Sequence, residues 1–376
     1  MPLFSQSEPC FADPADLAAC SQLLSNGSKS FFAASFFLPK AMRQPASALY
    51  AFCRIADDAI DECEGDQSVA LAALRDRLDR CYAGRPLPLP VDRAFAGAVE
   101  RFGMPRELPD ALLEGFEWDA QGRNYETISG VYHYSARVAA AVGAMMAALM
   151  GVRSPQVLAR ACDLGTAMQL SNICRDVGED ARNGRIYLPL AWLREAGIEP
   201  EAFLARPVFS EAIGSVIKRV LNIADNLYQQ AESGIARLPV GCRPGIYAAR
   251  LLYAEIGHEV ARNGYDSVSQ RAVVPKARKM ALLSQALAST PFPGGNYKAP
   301  ALEENRFLID AVAAVPSATE LTARARAADR RLRGIGEKVV WVLDLFESLE
   351  ERERERLAQT RNSGMLSAMP NMQSGG

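Results

Sequence analysis

The chain predicts an all-α fold, and three observations carry that expectation. Alanine, leucine, arginine and glutamate dominate the periodic segments up to about residue 290, and alternating β-branched runs are scarce. Proline and glycine clusters punctuate those segments at Gly84 to Pro90, Gly103 to Pro109, Gly151 to Pro155, Gly184 to Pro189 and Pro239 to Pro244. Of the 376 residues, 49% are hydrophobic, enough for a sizeable core. The expectation is a bundle of about eight or more helices.

Residues 1–290 are expected to form one helical domain. Within it, the apolar run Val138 to Val152 is shorter than the roughly 20 residues a membrane span needs. It reads as a buried helix whose alanines and glycines either permit close packing or leave room for a ligand. The stretch P-F-P-G-G-N-Y-K-A-P at 291–300 cannot continue a helix and reads as a linker. A helical extension over 291–360 is expected with it, including V-V-W-V-L-D-L-F at 339–346 and E-E-R-E-R-E-R at 350–356. That extension suits packing on the main domain or a helical pair, with a membrane or partner surface as the alternative. The Ser-, Asn- and Gly-rich stretch 361–376 reads as a disordered tail.

The net charge is −2, which argues against a general nucleic-acid binder. Eight cysteines are scattered without a C-x-x-C, so neither a zinc site nor a disulfide framework is expected. No basic-then-apolar signal opens the chain, and a reducing cytoplasm is the expected setting. With only His133 and His258 present, any metal is expected on carboxylates, and so to be Mg2+ or Mn2+.

Two aspartate pairs share one spacing: Asp57 and Asp61 in R-I-A-D-D-A-I-D, and Asp176 and Asp180 in N-I-C-R-D-V-G-E-D. Four residues is about one helical turn, so each pair sits on one face. Tyr50 and Arg54 extend the first face; Gln169 and Asn172 extend the second, with Arg175 beside it. Stacked acids repel on a bare helix, and a bound cation reverses that sign. Two such faces turned to one cavity would hold divalent cations, and through them diphosphates. Arg175 can pair with diphosphate or with a neighbouring acid. The competing readings are a solvated acidic face for the first helix and a charge-paired surface helix end for the second.

The chain resembles the squalene and phytoene synthases over residues 28 to about 285. The signatures are S-K-S-F at 28–31, Y-A-F-C-R-I-A-D-D-A-I-D at 50–61, Y-S-A-R-V-A-A-A-V-G at 134–143 and Q-L-S-N-I-C-R-D-V-G-E-D at 169–180. R-I-Y-L-P at 185–189, A-R-L-L-Y at 249–253 and Y-D-S-V-S-Q-R-A-V-V at 265–274 follow in order. The third signature departs from the family pattern at Ala136, where an aromatic is usual, and at Ala140, where glycine is usual.

The resemblance implies an isoprenoid-synthase helical bundle with a central cavity. It implies that Asp57, Asp61, Asp176 and Asp180 hold the metal–diphosphate cluster, with Asn172 supporting the metal and Asp58 and Glu179 adjacent. It implies that Ser28, Ser30, Arg54, Asn172, Arg175 and Arg271 bind diphosphate or support the cluster, and that Tyr50, Tyr134, Gln169 and Tyr253 line the reaction cavity. Ser28 and Ser30 also suit a helix cap, Tyr253 suits core packing and Arg271 suits a surface position. The expected reaction joins two geranylgeranyl diphosphates head to head through prephytoene diphosphate to phytoene. It needs Mg2+ (or Mn2+) and no NADPH. Squalene or dehydrosqualene formation from two farnesyl diphosphates is the alternative. The expected partners are two prenyl diphosphates and no nucleic acid. The lipid nature of substrate and product also suits peripheral contact at the inner face of the membrane and contact with other carotenoid-pathway enzymes.

Overall fold

The computed structural model describes residues 11–61, 66–288 and 296–315, with Asp61 described in its backbone only. The expected elements at 339–346, 350–356 and 361–376 lie outside the described residues. Among those described there are fifteen α-helices and no strand, as the composition predicts.

The chain opens with α1 (Pro14–Gly27), α2 (Lys29–Ser35) and α3 (Lys40–Asp61). Asp13 caps α1 in a reciprocal box with Asp16, and Ser28 caps α2 through the Phe31 amide; each such cap stabilises its helix by about 1 kcal/mol. Next come α4 (Gln67–Tyr82), α5 (Pro90–Phe102) and α6 (Glu107–Ala120), all packed against α3. The α3–α5 contact is built around Phe52 stacked on Phe95 at 4.0 Å. Gly103 closes α5 at φ 57, a left-handed cap open to glycine.

After α7 (Ile128–Ser135), the small-residue run lies in one π turn at Ala136–Ala140 and in α8 (Ala141–Leu149). Close packing is the reason for its composition. A Cβ on Gly143 would come 2.6 Å from the Ala161 carbonyl, and one on Gly165 would come 2.6 Å from the Ala139 carbonyl. The backbones therefore touch, and any larger residue would force them apart. The departures from the family pattern, Ala136 and Ala140, are both buried in this π turn.

The helix against which they pack is α9 (Pro155–Arg182), 28 residues long and roughly 42 Å at 1.5 Å per residue. It is buried on nearly all sides, as a central helix must be. After it come α10 (Leu190–Glu195), α11 (Pro200–Ala205), α12 (Glu211–Ile235), α13 (Arg243–Arg262), α14 (Lys276–Ala288) and α15 (Arg306–Ala313). Around α9 pack α12, α13, α8, the π turn and α15.

On α13, Glu255 is buried and accepts hydrogen bonds from Arg278 of α14 at 2.8 and 3.0 Å, from Arg262, and from His258 at 3.3 Å. Burial pushes its pKa up, but these bonds outweigh burial and bring it down to about 2. Glu255 thus ties α14 to α13. Residues 296–315 lie on the same bundle, with α15 on α9, α8 and α6. None of the described cysteines forms a disulfide. No helix among the described residues is long and apolar enough to cross a membrane.

Candidate active site

A cavity of about 320 Å³ lies between α2, α3, α8, α9, α12 and α13. Its wall is mostly apolar and often small: Ala34, Ala46, Gly143, Ala161, Gly165, Gly234 and Ala249 all contribute. Along α9 it runs from Val157 through Ala161, Leu164 and Met168 to Gln169 and Asn172, a distance of roughly 22 Å. On α3 it runs from Ala46 through Leu49 and Tyr50 to Cys53. Tyr253 lies close enough to both Tyr50 of α3 and Arg175 of α9 to interact electrostatically with each, so the two polar ends meet on one side of the cavity. Extending them by one turn places Asp57 beyond Cys53 and Asp176 beyond Asn172. Each motif thus begins one turn beyond a residue that lines the cavity.

Three aromatics line the cavity toward its polar rim. The Phe31 ring lies 5.0 Å from Tyr253 and 6.3 Å from Tyr50, the latter edge-on. Burial pushes both phenols up to about 12, so both remain protonated at neutral pH. Tyr253 also lies beside Ser28, the residue that caps α2. A Cβ on Gly27 would fall 2.3 Å from the Tyr50 hydroxyl; glycine there makes room for that group. Ser30 is half-buried on α2.

On α9, Asn172 Nδ2 donates to Gln169 Oε1 at 3.5 Å, and both side chains face the cavity. Arg175 grips Asp176 with both arms of its fork, Nε at 2.8 Å from Oδ1 and Nη2 on Oδ2. Arg271 adds its Nε to the same Oδ1 at 2.8 Å and lies 3.6 Å from Glu179. Burial pushes Asp176 up, but the two guanidiniums outweigh it and hold the carboxyl below its ordinary range. Asp180 behaves in the opposite way. Burial first, then the carboxylates of Asp176 and Glu179, push it up to about 7 against the pull of Arg185.

Arg271 is delivered by a loop that touches α9 backbone to backbone. The Gly178 amide donates to the Ser267 carbonyl at 3.0 Å, and a Cβ at Gly178 would fall 2.2 Å from the Val268 carbonyl. Arg182 donates to that Val268 carbonyl at 3.1 Å. Tyr265 starts the loop at φ 62, a left-handed conformation uncommon for a bulky residue. On the first motif, Arg54 grips Asp58, with Nε at 3.1 Å, and lies 3.5 Å from Asp57. The Asp61 side chain lies outside the described residues.

Tyr134, expected in the cavity wall, is placed elsewhere. It is buried, and its hydroxyl donates to Asp119 Oδ2 at 2.9 Å. Tyr187 donates to the other oxygen at 2.7 Å, and the two rings stack at 5.0 Å. Burial and the Asp119 charge keep both phenols protonated. Asp119 in turn bears on Asp180, whose carboxyl it helps to push up. Tyr134 is absent from the residues lining the cavity, and its hydroxyl is engaged by Asp119. Sequence reasoning missed Asp119, Tyr187, Arg185 and Gly178. Gly178, Arg185 and Tyr187 sit inside quoted signatures, but neither spacing nor residue type marked them.

The donor set at the rim consists of carboxylate and amide oxygens, the chemistry of Mg2+ or Mn2+. Among the described residues, no three acidic, histidine or cysteine side chains gather tightly enough to hold an ion as they stand. The fit rests instead on charge. Asp180 sits among like charges that a cation would relieve, and Asp176 already draws two cationic side chains.

The squalene/phytoene synthase family model matches residues 24–278. The chain is 52% identical to a phytoene synthase of Cereibacter sphaeroides, covering 93% of this chain and 98% of that protein. It is 57% identical to a phytoene synthase of Rhodobacter capsulatus, covering 73% and 82%. Among solved structures, a dehydrosqualene synthase bound to ligand superposes with a TM-score of 0.67 at 31% identity, covering 73% of this chain and 96% of that one. A squalene synthase from Alicyclobacillus acidocaldarius gives 0.62 at 26% identity, covering 67% and 95%. The all-helical bundle, its two aspartate motifs and these matches agree: the chain belongs to the squalene/phytoene synthase family.

Proposed function

We propose that the protein is a prenyltransferase of the 15-cis-phytoene synthase type, joining two geranylgeranyl diphosphates head to head. The observation that carries this reading is the apolar stripe on α9, which runs roughly 22 Å from Asn172 to Val157. With carbon–carbon bonds of about 1.5 Å, an extended C20 prenyl chain spans roughly 19 Å and a C15 chain about 14 Å. The longer chain reaches Arg160, about 18 Å from Asn172 along the stripe, and the shorter stops about 4 Å before it. Relatives at 52% and 57% identity carry the name phytoene synthase.

In this reading, Asp57, Asp61, Asp176 and Asp180, with Asn172, would hold Mg2+ or Mn2+. The metal supplies positive charge that binds diphosphate and stabilises its departure. Arg54, Arg175 and Arg271 share that task as fork-shaped donors once substrate draws them from their carboxylates. The apolar wall excludes water from the allylic cation left behind, and the faces of Phe31, Tyr50 and Tyr253 stabilise its charge. Attack by the double bond of the second chain, followed by loss of a proton, closes the cyclopropane of prephytoene diphosphate, the first diphosphate having left. A second ionisation, rearrangement and proton loss give phytoene, with no change of oxidation state that would call for NADPH. Because substrate and product are lipids, the reading also includes peripheral contact with the membrane.

Incubation of purified protein with geranylgeranyl diphosphate and Mg2+, without NADPH, is expected to yield a product with the mass of phytoene. EDTA is expected to abolish turnover, and added Mg2+ to restore it. Product formed only from farnesyl diphosphate would replace this reading with dehydrosqualene or squalene formation.

A further inference from the structure

The far end of the cavity holds a buried charge that the proposed chemistry does not use. Arg160 lines the cavity one turn from Val157, and its side chain is fully buried. Its Nε lies 2.7 Å from Asp163 Oδ2, also fully buried. That contact does not count as a hydrogen bond, and burial pushes the Asp163 carboxyl up to about 7 against the pull of Arg160. A buried ion pair is a weak source of stability, since an apolar pair of equal volume often does as well. The remaining donors of Arg160 have a more specific task. Nη1 donates to the carbonyls of Asn296 at 3.4 Å and Ala299 at 3.1 Å, and Nη2 donates to Pro300 at 3.2 Å.

The Arg160 stem is fixed as firmly as its head. A Cβ on Gly234 of α12 would fall 2.3 Å from Arg160 Cβ and 2.9 Å from Cγ. Only glycine lets the stem lie against α12 there. Arg237, one turn on, stacks over the Tyr297 ring at 3.5 Å, and Asn305 Nδ2 reaches Thr166 at 3.4 Å. Arg160, Asp163 and Thr166 thus form a polar stripe on the side of α9 that receives residues 296–305. The aliphatic part of Arg160 faces the cavity and its guanidinium faces the strap.

We propose that Arg160, pinned by the strap Asn296–Pro300, is the stop at the far end of the prenyl cavity, so that the chain beyond α14 takes part in chain-length selection. The inference rests on the prenyl-chain reading above. Arg160 acts here as a specificity-determining side chain and the strap as its positioning element. Loosening the strap lets Arg160 swing out of line and admits one further isoprene unit.

The test uses the full-length protein with C20 and C25 prenyl diphosphates, products being read by mass. Three variants are compared: R160M/D163L, which removes both buried charges at similar volume; R160K, which keeps the charge opposite Asp163 but loses the forked donors; and Y297A, which frees the strap at its outer side and leaves the cavity wall intact. In each, kcat/KM for C25 relative to C20 is expected to rise by at least about tenfold, with KM for C20 little changed. A uniform loss of kcat, or a lower melting temperature with the C25-to-C20 ratio unchanged in R160K and Y297A, would overturn the inference and leave the pair a structural one. The wild-type enzyme reports separately on the underlying reading. If it consumes only C15, that reading fails, and the same variants then test the stop with C20 against C15.

Discussion

The backbone amide of Gly178 donates to the carbonyl of Ser267 across 3.0 Å, and with Arg182 on the Val268 carbonyl it anchors the loop whose Arg271 reaches Asp176. The loop is anchored between the two aspartates of α9, so its arginine arrives at the rim from a fixed point.

Gly178→Ala tests that anchor. Its methyl would fall 2.2 Å from the Val268 carbonyl, so the loop must lift and carry Arg271 away. A shift of this size at a reacting site costs about 10²-fold in rate. Steady-state kinetics should show a kcat/KM loss of that order, while far-UV circular dichroism stays helical.

The rim carboxylate makes a sharper case. Asp176→Asn removes the charge that gathers Arg175 and Arg271. The expected loss in kcat is roughly 10²–10³-fold. A titration of activity against Mg2+ should also move to higher concentration; an unchanged Mg2+ requirement would remove Asp176 from the metal set.

Tyr134 and Tyr187 share one acceptor. If both act through Asp119, Tyr134→Phe and Tyr187→Phe should each lower activity, and the double variant should lose less than the two losses combined. A Tyr134 that acted on substrate directly would give an independent effect. A double-mutant cycle on kcat distinguishes the two.

Ala161 faces the cavity about three-quarters of the way down the α9 stripe. Ala161→Phe should block the deep end. Turnover of C20 diphosphate is expected to fall about 10–100-fold while C15 turnover is largely kept, as measured by competition between the two substrates.

Glu255 governs acid stability at the α13–α14 contact. Its folded-state pKa, about 2, lies below the ordinary value of 4.5. The stabilisation is therefore complete above pH 4.5 and is lost as pH falls toward 2. Glu255→Gln leaves three cationic or donor partners facing a neutral group and should cost about 3 kcal/mol at pH 7. The gap in melting temperature between wild type and variant should narrow steadily below pH 4.5.

The parts of the site that were legible in the sequence are those written in helical periodicity. Tyr50, Arg54 and Asp57 on α3, and Gln169, Asn172 and Asp176 on α9, announce one face each because three- and four-residue steps are local. The contacts that were not legible join distant positions. Asp119 meets Tyr187 across 68 residues, and Arg160 meets Pro300 across 140. No local rule ties an aspartate at the end of α6 to a tyrosine in a later loop. Tyr134 shows the limit from the other side: its motif was plain, but its direction depends on a partner that periodicity does not name. The 291–300 stretch reads as a linker because it cannot be helical. It is indeed not helical at 296–300, yet its carbonyls are engaged by a buried arginine, since a segment without secondary structure must still satisfy its backbone.

Placing the polar rim and the closed end on a single helix has a consequence for how chain length is read. α9 works as a graduated rod: each residue is a mark of about 1.5 Å, so one isoprene unit of about 5 Å corresponds to roughly three marks. Neighbouring helices can drift apart on warming and widen the channel, but they cannot alter the spacing of marks on one rod. Such a gauge keeps its calibration in length even when it loosens in width. Evolution could then reset it by changing the residue at one mark, without rebuilding the bundle.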